Sequence, residues 1–228
     1  MKKRQKKETG EFGGLLRLAA EELGAALRSI KARWRDRLGD RRLGISTAEI
    51  GEAVAGGRHR GSCGYSPTSY SHLGALAAFL ALKDDDVFFD VGCGRGRVVC
   101  FMAAQGAGKI VGLEIIEEFV EQSKAHAAAV ASRGGADIVI LRCAAAAVPP
   151  AVIDEGTVFF LHSPFGFRTL RDFVDGVGES LRRRPRALTV VYYKPTHRWY
   201  LDDRPWLAED PFLSRFEIMV WRGRPDRA

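Results

Sequence analysis

The stretch of the chain best suited to chemistry is residues 87–97, which read VFFDVGCGRGR. A short run of β-forming residues ends there in three glycines at alternate positions, Gly92, Gly94 and Gly96, and a helical pattern follows. This order predicts a strand that leads into the N-terminus of a helix, where backbone N–H groups are free to bind a ligand. The segment therefore indicates a nucleotide or cofactor site.

The glycine spacing and two nearby carboxylates limit the kinds of ligand that can bind here. The dinucleotide-binding fingerprint places its third glycine three residues after the second, whereas the interval here is two. Asp90 stands beside the loop, where a carboxylate repels a phosphate and suits a ligand that carries an ammonium group. Glu114 ends the next expected strand, where it can accept hydrogen bonds from both hydroxyls of a ribose. A nucleoside joined to an amino acid fits both carboxylates.

The elements that must position these residues alternate along the chain. Five strands separated by helices predict an α/β fold with a parallel sheet covered by helices on both faces. Ligands of such sheets bind at the carboxyl ends of the strands. A sixth strand at residues 216–221 is expected to be antiparallel and to end the sheet. The five parallel strands are expected at residues 87–91, 109–114, 137–142, 156–162 and 187–193.

The N-terminal part of the chain carries all of the excess positive charge. Residues 1–60 hold 15 Lys and Arg against 8 Asp and Glu, and the formal net charge of the whole chain is +7. Apolar residues recur at helical spacing over residues 12–38, which predicts one long amphipathic helix. Its apolar stripe is expected to pack on the rest of the chain or on a second subunit, or to bind a membrane surface or another partner. We therefore divide the chain into a basic helical extension, residues 1–60, and a domain, residues 61–228.

Composition also limits the compartment and the partners. No run reaches the roughly 20 apolar residues of a membrane span, and no cleavable export signal is recognisable. Cys63, Cys93, Cys100 and Cys143 form no Cys-x-x-Cys pair, so we expect free thiols in a cytoplasmic protein without a zinc site. The charge of residues 61–228 is balanced, which argues against a nucleic-acid substrate.

Residues 87–97 and 110–114 resemble motif I and the following acidic motif of class I S-adenosylmethionine-dependent methyltransferases. Within that superfamily, four segments resemble a bacterial group related to the non-SET histone-lysine methyltransferases: residues 40–47, 65–67, 92–97 and 162–166. The resemblance covers residues 40–221. It implies a Rossmann-like sheet of seven strands with helices on both faces, and S-adenosylmethionine as the cofactor with S-adenosylhomocysteine as its product.

The resemblance also implies which residues bind the cofactor. The three glycines let the backbone approach the methionine moiety, Asp90 supports the loop and Glu114 holds the ribose. Tyr65 stands where such enzymes fold an N-terminal segment over the cofactor. Cys143 and Ala144 replace an acidic residue that often meets the adenine amino group, which leaves adenine to backbone groups and apolar neighbours. The complete expected set is Tyr65, Asp90, Gly92, Cys93, Gly94, Gly96, Arg97, Glu114, Cys143, Ala144 and His162.

The segment after the fourth strand implies the acceptor site. Ser163, Pro164 and Phe165 resemble a shortened form of the motif in which nitrogen methyltransferases hold an amine, with a polar side chain, a proline-fixed carbonyl and a packing aromatic. His162 is either a base for the amine proton or a structural hydrogen-bonding residue. The expected activity is methyl transfer to a nitrogen acceptor, with a protein lysine as the first substrate. A small-molecule acceptor and a non-catalytic S-adenosylmethionine-binding protein remain the alternatives.

Overall fold

The computed structural model describes residues 2–48, 65–134, 136–163, 165–211 and 217–228, with side chains from residue 21 onward except at residue 28. Seven helices lie in this part of the chain. Their bounds are α1 Lys2–Leu43, α2 Tyr70–Leu80, α3 Arg97–Ala103, α4 Glu117–Ala131, α5 Pro150–Ile153, α6 Phe167–Arg183 and α7 Arg198–Asp202. The strands are β1 Val87–Val91, β2 Lys109–Glu114, β3 Asp137–Arg142, β4 Val158–His162, β5 Thr189–Tyr193, β6 Leu207–Asp210 and β7 Ile218–Gly223.

All seven strands form one sheet in the order β3-β2-β1-β4-β5-β7-β6. The first five strands are parallel, and β7 runs antiparallel to both β5 and β6. The predicted Rossmann-like sheet of seven strands is therefore confirmed. The strand order reverses between β1 and β4, and the carboxyl ends of the strands around that point form the expected ligand-binding edge.

The apolar runs of the central strands are explained by burial on both faces of the sheet. Phe88 and Phe160 belong to the apolar layer on the side of α2 and α3, whereas Phe89 and Phe159 belong to the layer on the side of α6. Successive residues of a strand point to opposite faces, so a strand covered on both faces reads as continuously apolar. Packing on both sides of the sheet therefore holds β1 in place, and with it the start of the glycine loop.

The sequence prediction was wrong about the edge of the sheet. The last strand, β7, was expected to end the sheet, but β6 pairs along its outer side. Trp206 and Leu207 are buried at the start of this strand. The segment was interpreted only as an aromatic cover because β6 has four residues and ends in the acidic pair Glu209 and Asp210.

The predicted N-terminal helix is confirmed, and its C-terminal end is built into the fold. A Cβ atom on Gly39 would lie 2.3 Å from the Tyr70 ring, so the two helices α1 and α2 meet there at close range. Gly44, with φ +71°, ends α1, and Ile45 then enters the core. The expected boundary between residues 60 and 61 lies outside the described residues. None of the helices that the structure describes is long and apolar enough to cross a membrane.

From Leu23 to Leu38, the apolar stripe of α1 does not pack on the described part of the chain, which argues against that alternative. Leu23 and Trp34 are 64% and 60% exposed, and the apolar residues between them are at least half exposed. The remaining expectations for this stripe, a second subunit, a membrane surface or another partner, stay open at this point.

Candidate functional site

A cavity opens at the carboxyl ends of β1, β2 and β4, where the strand order reverses. Most of the residues that the sequence singled out line it, although their contacts with a ligand remain predictions. Gly96 does not line the cavity, and Pro164 lies outside the described residues. The predicted residues in the lining are Tyr65, Asp90, Gly92, Cys93, Gly94, Arg97, Glu114, Cys143, Ala144, His162, Ser163 and Phe165.

The loop after β1 is held in a backbone conformation that requires glycine. The N–H groups of Gly92 and Cys93 both donate to the Leu113 carbonyl, at 2.9 and 2.8 Å. Gly94 has φ +54°, and a Cβ atom there would lie 2.7 Å from the Tyr65 ring. Gly96 has φ +82° and faces Ser123 of α4 instead of the cavity. The two glycines therefore serve different purposes, one beneath Tyr65 and one at the start of α3.

Asp90 is the most unusual ionisable group of the cavity. Its side chain is 2% exposed, and Oδ2 has no hydrogen-bond partner. Burial, together with the nearby charge of Glu114, raises the pKa of Asp90 to about 8. A buried carboxylate without a partner is costly, and a ligand ammonium group would supply both a hydrogen bond and a compensating charge. The residues present thus fit the amino-acid end of S-adenosylmethionine.

Glu114 provides part of the loop support that was expected from Asp90. Its Oε2 accepts the Gly94 N–H at 2.8 Å, and its Oε1 accepts the N–H groups of Ile115 and Ile116 at 2.7 and 3.0 Å. These bonds fix the carboxylate at the mouth of the cavity. Each carboxylate oxygen has two lone pairs, so Oε1 is fully used and Oε2 can still accept one hydroxyl donor from a ribose.

Tyr65 covers the glycine loop and belongs to an aromatic wall. Its hydroxyl donates to the Thr47 carbonyl at 2.9 Å, and its ring centroid lies 5.2 Å from that of Phe119. The Arg95 guanidinium lies 5.2 Å from the Tyr65 centroid and 5.5 Å from the Phe119 centroid. Burial raises the pKa of Tyr65 to about 12, so the phenol stays neutral.

Arg97 lines the cavity, but its guanidinium is directed toward α1. Nε donates to the Thr47 hydroxyl at 2.6 Å and lies 3.4 Å from Asp40, while Nη1 lies 3.2 Å from Asp36. Nη1 also donates to the Thr68 carbonyl at 3.2 Å. Arg97 is 2% exposed. Its charge therefore joins α1 to the glycine loop, while Nη2 has no hydrogen-bond partner, so the cofactor contact expected from the sequence stays a prediction.

The acceptor side of the cavity follows β4. Ser163 has φ +40°, and its hydroxyl makes a short hydrogen bond to the Lys194 carbonyl after β5. Ser163 is thus held against the end of the neighbouring strand. Phe165, two residues further along the chain, packs against the apolar layer on the α6 side of the sheet.

His162 has a structural environment. Its Nδ1 shares a 2.9 Å hydrogen bond with the Thr68 hydroxyl, and its ring centroid lies 4.5 Å from that of Tyr193. Burial, followed by the positive charges of Lys194 and His72, lowers the pKa of His162 to about 4. The imidazole is therefore neutral at physiological pH and is a weak proton acceptor. The structure favours the structural role over the role of a base.

Several lining residues were missed by the sequence prediction. Ile115 and Ile116 directly follow Glu114, and Phe119 lies in the first turn of α4. Their place in the chain could have identified them, because the residues that directly follow a central strand lie at the edge of the sheet where ligands bind. Thr68 was missed because its partner His162 is 94 residues away.

Metal ligands are not grouped in the part of the chain that the structure describes. No set of three or more His, Cys, Asp or Glu side chains is arranged there to hold a metal ion. Cys93 and Cys100 are buried free thiols, and Cys143 is a half-buried one. Cys63 lies outside the described residues.

A family model described as a methyltransferase domain matches residues 89–162. The match runs from within β1 to the last residue of β4, so it includes the glycine loop, Glu114 and His162. A search of curated proteins finds no match to this chain.

Solved structures with a similar fold include three of low identity. The YcgJ protein from Bacillus subtilis is 18% identical, with 58% of this chain and 56% of that chain covered and a TM-score of 0.44. A putative rRNA methylase from Clostridium thermocellum is 15% identical, with 67% and 94% covered and a TM-score of 0.49. An RNA methyltransferase from Salinibacter ruber in complex with S-adenosyl-L-homocysteine is 18% identical, with 72% and 96% covered and a TM-score of 0.46.

Proposed function

We propose that this chain is an S-adenosylmethionine-dependent methyltransferase that methylates a nitrogen atom, with the amine of a protein lysine as the first substrate class. The observation that carries this proposal is the orientation of Ser163. Its hydroxyl hydrogen is directed to the Lys194 carbonyl, which leaves the oxygen lone pairs to accept an N–H bond from an acceptor. The resemblance of residues 162–166 to the amine-binding motif supports the same assignment.

The residues around the glycine loop would hold the methyl donor. Asp90 would face its ammonium group, Glu114 would accept one of its ribose hydroxyls, and Phe119, Cys143 and Ala144 would surround its adenine. When bound, S-adenosylmethionine supplies a methyl group on a sulfonium that needs no acid catalyst to leave. The protein then contributes in-line positioning and a site from which water is excluded.

The environment of His162 favours nitrogen over oxygen as the acceptor. A neutral amine is a nucleophile by itself, whereas an alcohol needs a base to remove its proton. With a pKa lowered to about 4, His162 is a poor base for an alcohol. A lysine amine has an ordinary pKa of about 10.4, and transfer into a partly apolar site lowers it toward the neutral form. Phe165 and the Tyr193 ring beside His162 would provide that apolar environment.

The acceptor class is tested by incubating the full chain with a cell extract and S-adenosylmethionine labelled in its methyl group. We expect the label in protein and resistant to mild base, because N-methyl groups survive conditions that hydrolyse methyl esters. Acid hydrolysis of the labelled protein should then release methyl-lysine. Label in nucleic acid or in small molecules would contradict the lysine assignment, and base-labile label would contradict the nitrogen assignment.

The role of Ser163 is tested by replacing it with alanine. Ser163→Ala should lower kcat about tenfold or more and leave the Kd of S-adenosylmethionine unchanged, since the hydroxyl would contact only the acceptor. Ser132→Ala is the matched control, because the Ser132 hydroxyl also donates to a backbone carbonyl, at 2.9 Å, but far from the cavity. An unchanged kcat in Ser163→Ala would remove this residue from the acceptor site.

A further inference from the structure

Helix α1 carries an apolar stripe that no other part of the described chain covers. The stripe consists of Leu23, Leu27, Ile30, Trp34 and Leu38, which are 45–64% exposed. Their spacing of three or four residues places all five on one face of the helix. Single exposed apolar residues are common on protein surfaces, but a continuous row of large ones marks a binding surface.

The opposite face of α1 docks on the domain. Asp36 forms an ion pair with the buried Arg97, and Asp40 accepts a hydrogen bond from the Tyr70 hydroxyl at 2.7 Å. Gly39 lies against the Tyr70 ring. A helix turns about 100° per residue, so Asp36 is roughly 200° around the axis from Trp34. The stripe cannot turn onto the domain unless Arg97 loses its carboxylate partners.

Both flanks of the stripe are basic. Lys31 and Arg35 lie along one side of it, Arg33 and Arg37 lie along the other, and all four are exposed. The acidic residues of the same turns, Asp36 and Asp40, are on the docking face. The sequence adds five Lys and Arg within the first seven residues of the chain. Over residues 31–37, the exposed side of α1 is thus an apolar row between two rows of positive charge, whereas the exposed Glu21 and Glu22 precede the stripe at its Leu23 end.

We propose that α1 binds the surface of a membrane that contains anionic lipids. The stripe would enter the boundary between headgroups and acyl chains, while the long stems of Lys and Arg extend to the phosphate groups. Two copies paired through their stripes would bring basic flanks together, which disfavours a second copy as the occupant. Nucleic acid would neutralise the flanks but would leave the stripe in water. Anionic lipid complements both features.

The proposal is tested by co-sedimentation of the full chain with phosphatidylcholine vesicles that contain or lack phosphatidylserine. We expect binding to the anionic vesicles and much weaker binding to the neutral ones. Trp34→Ser should weaken binding about tenfold or more, because one large apolar side chain no longer leaves water. Trp199→Ser is the matched control, since Trp199 is 49% exposed on α7, and it should bind like the unaltered chain.

A charge variant provides a second, independent measurement. Arg33→Gln combined with Arg37→Gln should weaken binding to anionic vesicles about fivefold for each charge removed and should hardly change binding to neutral vesicles. Circular dichroism and thermal unfolding should show every variant folded, since the altered side chains are exposed. Equal binding to both vesicle types, or unchanged binding by Trp34→Ser, would overturn the proposal. So would a dimer that Trp34→Ser dissociates, or nucleic-acid binding that survives this substitution in the absence of lipid binding.

Discussion

The buried carboxyl group of Asp90 lowers the stability of the folded protein, and its proposed role in ligand binding would offset that cost. The carboxyl group is almost completely buried, and one of its oxygens has no hydrogen-bond partner. Its pKa of about 8 lies far above the ordinary aspartate value of 3.8 because of burial and the charge of Glu114. The folded protein therefore retains a proton that the unfolded chain releases. Between these two pKa values, stability must fall as the pH rises.

Replacement of Asp90 with asparagine should separate its effect on stability from its effect on ligand binding. At pH 8 we expect Asp90→Asn to raise the free energy of unfolding by about 4–6 kcal/mol, because the cost of ionising the buried group disappears. Below pH 3.8, the ordinary pKa of an aspartate, the gain should vanish, since the carboxyl group is then protonated in both the folded and the unfolded chain. Urea unfolding across this range measures the gain, and calorimetry should show weaker binding of S-adenosylmethionine. Asp85→Asn, at an exposed turn, is the control; a gain independent of pH would refute the assigned pKa.

At the scale of elements, the C-terminal end of α1 is part of the catalytic fold. Arg97 begins α3 directly after the glycine loop, and its guanidinium is compensated by Asp36 and Asp40 of α1. The Thr47 hydroxyl donates to Asp40 and accepts from Arg97, and the Thr47 carbonyl holds Tyr65 over the loop. The helix therefore reaches the cofactor side of the cavity through a continuous set of polar contacts.

Two truncations should distinguish the docked end of α1 from the rest of the helix. Removal of residues 1–43 should lower the free energy of unfolding by about 3–5 kcal/mol, because it leaves the buried charge of Arg97 without carboxylates. Binding of S-adenosylmethionine should weaken in the same variant. Removal of residues 1–30 retains Asp36 and Asp40 and should change neither quantity. Chemical unfolding and calorimetry on both chains check this, and equal stability would show that the ion pairs contribute little.

The parts of the fold that the sequence predicted are those with local signals. Strands β1 to β5 were recognisable because they are apolar runs bounded by turns, and the glycine loop because of its spacing. The edge strand β6 has four residues and an acidic end, so it lacks a pattern that separates it from a loop. The contacts of Arg97 and His162 join segments 29 to 94 residues apart, and no local periodicity encodes such pairs. For this reason the pairing of Arg97 with α1 was not predicted, whereas its assignment to the cofactor stays a prediction.

At the scale of the whole molecule, the excess positive charge lies in a different part of the chain from the residues that line the cavity. Residues 1–60 account for the entire formal charge of +7, while residues 61–228 hold equal numbers of basic and acidic residues. The docked face of α1 is acidic and buried, whereas its exposed face is apolar and basic. The proposed binding to a membrane and the proposed binding of the methyl donor therefore depend on different interactions. Membrane binding would use exposed charges, which salt screens. Cofactor binding would use buried groups, whose interactions salt screens much less.

This separation predicts different responses to ionic strength. When salt is raised from about 0.05 to 0.5 M, binding to phosphatidylserine vesicles should fall by more than about tenfold, because the exposed Lys and Arg are screened. The Kd of S-adenosylmethionine should change by less than about twofold, since Asp90 and Glu114 are buried. Parallel titrations of vesicle binding and cofactor binding, with the chain lacking residues 1–30 as the control, measure both responses. The truncated chain lacks Leu23, Leu27 and Ile30 of the stripe but keeps Trp34, so it should bind the cofactor normally and bind vesicles much more weakly than the full chain at every salt concentration. Cofactor affinity that fell together with vesicle binding would mean that the basic helix acts on the catalytic site, and the two activities would then not be separable.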